Sequence, residues 1–124
     1  MSIVDFIAVV SFGLTCFGLG YTFFTMKMHI IGTGTATVSK YINTSCVFEE
    51  DDQLFLVDGT GGSDILRAFD TMNLNWKKLH YAFLSHEHTD HFLGMIWVIR
   101  TIAELLELEE YEGDFYLYGN DVVL

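Results

Sequence analysis

Proline is absent from the 124 residues, and cysteine occurs only twice, at Cys16 and Cys46. With no proline and no low-complexity stretch, the chain carries no Pro-rich linker. Neither cysteine has a CxxC partner, which excludes a disulfide framework and points to a reducing compartment, the cytoplasm. Cys46 lies in a strand-like run and reads as a small buried hydrophobe. Basic residues are also scarce: six Lys and Arg stand against 17 Asp and Glu, for a net charge of −11. Phosphate backbones are held by basic footprints, so this stretch is not a non-specific nucleic-acid binder. An RNA substrate reached through a local basic patch or a separate module stays open. Much of the acid is local, in Glu49 to Asp52 and in Glu104 to Asp114, and reads as solvated turns and helix faces.

What is present is a globular composition, 51% hydrophobic and 15% aromatic, enough for one small domain with a modest core. Residues Phe6 to Met26 carry no charge, a run long enough to span a bilayer as a helix. Two readings of residues 1–27 stand side by side. They form a membrane anchor that leaves the rest of the chain cytoplasmic, or translation properly begins near Met28 and the run is no part of the domain. From residue 28 onward, strand-like and helix-like patterns alternate. Strands are expected at Met28–Ile31, Thr44–Phe48, Gln53–Val57, Tyr81–Leu84 and Phe115–Tyr118. Helices are expected from Ser63, as a cap, through Met72, and from Phe92 to Glu110. A further helix cap is expected at Gly119-Asn120-Asp121. The alternation gives an α/β architecture, a mixed sheet with flanking helices. Gly32-Thr33-Gly34 after the first strand is half of a dinucleotide-binding loop, but Thr37 replaces its third glycine and no helix follows, which argues against that fold.

The chemistry concentrates in Ser85-His86-Glu87-His88-Thr89-Asp90-His91. Three imidazoles and two carboxylates lie between a buried strand and a helix, where active sites are commonly built. Neutral imidazole and carboxylate suit zinc, and also manganese or iron. His86 and His88 are two apart, so in an extended segment they share a side and can hold one metal. Asp90 and His91, side by side where the chain turns into the helix, more naturally face a second. Two metals about 3.5–4 Å apart can share a water and lower its pKa towards about 7, giving hydroxide at neutral pH. Glu87, between the histidines, points away and takes an outer or solvent-facing role. His29 and His80 read as structural histidines.

His86-x-His88-x-Asp90-His91 followed by Gly94 resembles the signature of the metallo-β-lactamase fold superfamily. Ile31-Gly32-Thr33-Gly34-Thr35, Asn43-Thr44-Ser45 and Leu56-Val57-Asp58-Gly59 resemble the ribonuclease Z branch and the metal-dependent hydrolases close to it. The likeness runs from about Met28 to Leu124 and corresponds to the N-terminal half of such an enzyme. It implies the first half of an αβ/βα sandwich and a hydrolase of two zinc ions. Metal ligands would be His86, His88, Asp90 and His91, with Asp90 also the catalytic proton acceptor. Asp58 would bond the histidine loop from behind. It further implies a phosphodiester substrate, precursor tRNA for the ribonuclease Z branch, or a small phosphodiester, other ester or lactam for its neighbours. The branch often carries Asp-Cys-Gly-Glu-Gly where this chain has Asp58-Gly59-Thr60-Gly61-Gly62, and no basic, glycine-rich tRNA-binding arm is visible. The remaining ligands would belong to a later half not in this sequence, leaving a truncated chain of weak activity. The other reading is a non-catalytic metal-binding half completed by another chain. A homodimer stays open.

Overall fold

A computed structural model describes residues 2–5, 7, 8, 10, 11 and 25–122. Five strands form one mixed sheet in sequence order: β1 (Lys27–Gly32), β2 (Ser45–Glu50), β3 (Gln53–Val57), β4 (Leu79–Phe83) and β5 (Tyr116–Tyr118). The first three run antiparallel, and β4 and β5 join in parallel. Helix α1 (Asp64–Thr71) connects β3 to β4 through a 3-10 turn at Trp76–Lys78, and α2 (Thr89–Glu107) connects β4 to β5. These parallel crossovers place helices over one face of the sheet. The fold class is therefore the α/β one expected.

Period-two alternation decides which face is buried. Val47, Leu56, Ala82 and Leu117 are paired across four strands. Val47, Leu56 and Ala82 have no exposure at all and pack with Ile65, Phe69, Met95 and Val98 of the helices. Removing each such large side chain from water contributes about 1.5–3 kcal/mol. On α1, Ile65, Ala68 and Phe69 recur at helical spacing, and Phe69 stacks on Trp76 with ring centroids 3.8 Å apart.

Among the described residues, no helix packs on the opposite face. Its registers align Met28, Phe48, Phe55, Tyr81 and Tyr116 in one row, and Ile30, Cys46, Val57, Phe83 and Tyr118 in the next. Met28, Ile30, Phe83, Tyr116 and Tyr118 are exposed. Cys46 accordingly differs from the buried hydrophobe expected: it is half-buried, because its register puts it on this open side. Partial burial, then the nearby Asp58 charge, push its thiol pKa up. Cys16 lies outside the described residues.

Element ends depart from expectation where backbone geometry intervenes. Helices α1 and α2 each close with a left-handed residue. Asn73 (φ 54°) lets Leu74 N donate to the Phe69 carbonyl, and Glu109 (φ 58°) lets Glu110 N donate to the Leu105 carbonyl. Thus α2 stops at Glu107 rather than Glu110. Ser63 stands at the N-cap of α1 but in a helical conformation, so its hydroxyl makes no capping bond. The β2–β3 hairpin turns on Asp51 and Asp52 alone, both at positive φ. Beyond β5, residues 121–122 form a turn, with Asn120 Oδ1 accepting from Val122 N. Most of the uncharged Phe6–Met26 run, read as an anchor, lies outside the described residues. Among the described residues no helix is long and apolar enough to cross a membrane.

Tyr111 ties the α2–β5 connection to β4, its buried hydroxyl donating to the Leu79 carbonyl at 2.7 Å. Burial, reinforced by Asp114 and Tyr81, pushes its pKa up to about 12. A phenol whose pKa is raised by folding stabilises the fold below its unfolded value, about 10. That contribution is lost as pH rises through the folded value. Tyr111→Phe is expected to cost about 1 kcal/mol at neutral pH through the lost hydrogen bond. It should also shrink the fall in stability between about pH 10 and 12. Urea unfolding across that range, beside the unaltered chain, measures both.

Candidate metal centre

Parallel β3 and β4 end side by side, and the site is built where they stop. Asp58 N donates to the Phe83 carbonyl at 2.9 Å, extending the ladder one step beyond β3. Asp58 then turns with φ 62° and is 6% exposed. A carboxylate so far from water needs protein donors. Oδ1 accepts from Ser85 N at 2.8 Å, and Oδ2 contacts Ser85 Oγ and His91 Nδ1, both at 2.8 Å. One aspartate thus holds the start of the histidine loop and its last histidine together.

The loop enters α2 earlier than the apolar periodicity indicates. His88 is the N-cap, with its carbonyl accepting from His91 N and Phe92 N, so Thr89, Asp90 and His91 form the first helical turn. An acidic side chain there is favoured by the helix dipole. The rings gather: His86 and His88 centroids lie 4.5 Å apart, and those of His86 and His91 4.2 Å. His91 Nε2 is 3.2 Å from Asp90 Oδ2. Ser85 Oγ lies 2.8 Å from His86 Nδ1. Glu87 is exposed and joins none of these contacts.

His86, His88, Asp90, His91 and Asp58 are therefore brought to one place. His29, which bonds Glu49 at 2.7 Å, and His80, which contacts Tyr111 and the Asp114 carbonyl, belong elsewhere in the fold. The donor types fit a borderline divalent cation. As they stand, no three such side chains among the described residues converge closely enough to hold one.

Close backbone contact fixes the helix start against the loop after β3. Gly59 N donates to the His91 carbonyl at 2.8 Å, and Gly94 N to the Thr60 carbonyl at 2.9 Å. A Cβ on Gly94 would lie 1.5 Å from the Gly59 oxygen. Gly94 thus admits the Asp58–Gly62 turn. Thr60, fully buried, is held at φ 68°, unusual for a β-branched residue. Asn43 clamps the turn from outside: its Oδ1 accepts from Gly61 N at 3.1 Å and its Nδ2 donates to the Thr35 carbonyl at 2.9 Å. Ser45 Oγ donates to the Asp58 carbonyl at 2.7 Å. Sequence reasoning noted Asn43 and Ser45 as part of a pattern and gave Ser85 no role. Their contacts are long-range, and residue type alone does not reveal them.

A helix-backed mixed sheet with a histidine loop after the parallel strand β4 is the arrangement of the metallo-β-lactamase fold, as solved structures show. The Bacillus subtilis metallo-β-lactamase fold protein YhfI superposes with a TM-score of 0.66 and 27% identity, over 77% of this chain and 38% of that one. The short form of human tRNase Z gives 0.50 and 20%, over 74% and 42% respectively, a likeness of fold alone. Among curated proteins, ribonuclease Z of Bacteroides fragilis is 35% identical over 81 residues, 64% of this chain and 26% of that enzyme. Ribonuclease Z of Treponema denticola is 32% identical over 95 residues, 76% and 29% respectively. The chain therefore spans about a quarter of the length of these relatives. It belongs to the family described as anti-Pycsar protein Apyc1, which matches residues 26–105.

The two glycines of this region separate a packing role from a neutral one. Gly94→Ala is expected to destabilise the fold by more than about 4 kcal/mol through the clash with Gly59. Gly62→Ala, with open space around the added methyl, should stay within about 1 kcal/mol of the unaltered chain. Comparing their urea midpoints tests the packing account, and equal midpoints would contradict it.

Proposed function

We propose that this chain is the metal-loop half of a metal-dependent phosphodiester hydrolase. The observation that carries the reading is the Asp58 carboxylate, which gathers Ser85 and His91 behind a loop presenting His86, His88 and Asp90. In this reading His86, His88, Asp90 and His91 hold divalent cations. Zinc suits the imidazole and carboxylate set best, with manganese or iron the alternatives. Bound there, such cations supply Lewis acidity and make water a nucleophile at neutral pH. The chain's own part is to orient and to move a proton. Asp58 fixes the ring of His91 through Nδ1, leaving Nε2 beside the Asp90 carboxylate. Asp90 is the group that accepts a proton during hydrolysis. Gly59 and Gly94 keep the first turn of α2 against the sheet, so these groups do not drift apart.

A complete tetrahedral zinc site takes four ligands. The donors here supply part of that number for each of two cations. The rest would come from a later half of the same hydrolase or from another chain. The uncovered rows from Met28 to Tyr116 and from Ile30 to Tyr118 provide an apolar face for that half. A second copy of the chain stays an alternative occupant. For substrate, the ribonuclease Z relatives favour a phosphodiester. The net charge of −11 favours a small one over a long polyanion bound by this stretch. Precursor tRNA is the second reading, supported by the 32–35% identity to enzymes named ribonuclease Z. Residues 1–27 precede the hydrolase region in either case.

The deciding measurement is bound zinc in the full chain, by elemental analysis after equilibrium dialysis, beside His86→Ala/His88→Ala. The reading expects zinc near stoichiometry, lost in the double variant, and slow hydrolysis of bis(p-nitrophenyl) phosphate that a chelator abolishes. Equal zinc in both proteins would overturn the ligand assignment.

A further inference from the structure

Ser85 holds no cation and moves no proton in the functional reading, yet its hydroxyl is engaged twice. Oγ lies 2.8 Å from Asp58 Oδ2 and 2.8 Å from His86 Nδ1. The hydroxyl has one hydrogen, and an ionised carboxylate has none to give, so the hydrogen goes to Asp58. Only lone pairs then remain for the contact with His86. At that distance Nδ1 must be the donor, because two facing lone pairs would repel. A neutral imidazole protonated on Nδ1 has its lone pair on Nε2.

We propose that Ser85 is a positioning residue. It relays the Asp58 carboxylate to His86 and fixes the imidazole in the tautomer that leaves Nε2 bare. Asp58 also accepts directly from His91, whose Nδ1 is 2.8 Å from Oδ2, but Nε2 of that ring lies 3.2 Å from Asp90 Oδ2 and so faces a second carboxylate. One buried carboxylate therefore engages Nδ1 of two rings: His91 in one step, and His86 in two. Oδ1 is already taken by Ser85 N, so Asp58 accepts from the loop three times and neither Ser85 nor His91 can turn without breaking a bond to a group 6% exposed. Alanine at position 85 would keep the backbone bond and lose only the relay. Threonine would keep the hydroxyl. The proton arrangement stands on geometry alone, while its purpose, presenting Nε2 to a cation, rests on the ligand reading above.

The test is a long-range proton–nitrogen correlation spectrum of the ¹⁵N-labelled full chain, chelator-treated, at about pH 8, where an ordinary imidazole is neutral. The expected result is His86 carrying its hydrogen on Nδ1 in the unaltered chain and in Ser85→Thr. Ser85→Ala should move it predominantly to Nε2, while His91 keeps Nδ1–H. A zinc titration of the same proteins should show affinity about tenfold weaker in Ser85→Ala and restored in Ser85→Thr. General loss of stability would not move the tautomer of one ring in a protein that remains folded. His86 protonated on Nε2 in the unaltered chain overturns the relay, as does a tautomer unchanged in Ser85→Ala. Should Ser85→Ala not fold, the spectra of the unaltered chain and Ser85→Thr decide by the same criterion. The expected tautomers with no zinc bound by any variant would uphold the relay and overturn the ligand reading instead.

Discussion

A carboxylate buried at the end of a strand is costly unless donors surround it, and most of the site's arrangement answers that demand. Asp58 could have turned outward to water. Instead the ladder bond to Phe83 and the left-handed turn aim it beneath the loop after β4. Three donors from that loop and the first turn of α2 then close around it. Losing any one would leave part of the charge unmet, a penalty of about 1–3 kcal/mol or more. The histidine loop is thereby fastened from below, and its upper side is left to other chemistry.

The second constraint is steric. Gly59 and Gly94 remove the side chains that would separate the Asp58 turn from α2, and two backbone hydrogen bonds cross the gap. Asn43 reaches the same turn from the β1–β2 connection, so three loops meet behind one cluster. The strained φ of Thr60 is held by this enclosure. Rigidity here would serve the proposed function, because side chains that share a cation tolerate only small errors in placement.

Much of this was legible in the sequence, and for physical reasons. The strand at Gln53–Val57 is a short apolar run between an acidic hairpin and an aspartate-glycine turn, and its limits agree with the structure. The histidine spacing marked where the cluster lies. The face that α2 turns toward the sheet, Met95, Val98 and Ile102, did not stand out, because Leu93, Ile96, Trp97 and Ile99 on its other sides are equally apolar and yet exposed. Two further kinds of feature escaped. One is where local preference loses to backbone geometry: α2 begins at Thr89, after His88 as N-cap, with a first turn whose polar residues hide it from the apolar pattern, and ends at Glu107 although the following glutamates favour helix. The other is any contact between residues far apart in the chain. Ser85 lies 27 positions from Asp58, and Asn43 lies 18 from Gly61. Residue type shows that such side chains can bond and not to which partner.

Amide hydrogen exchange at Ser85, Gly59 and Gly94 in the unaltered chain tests the central claim most directly, that the loop is fastened to the sheet through Asp58 and the glycine contact. The account predicts that these three amides, although outside the strands or near a helix start, exchange as slowly as those in the centre of β3. Exchange at the rate of an open loop, with β3 still protected, would contradict it.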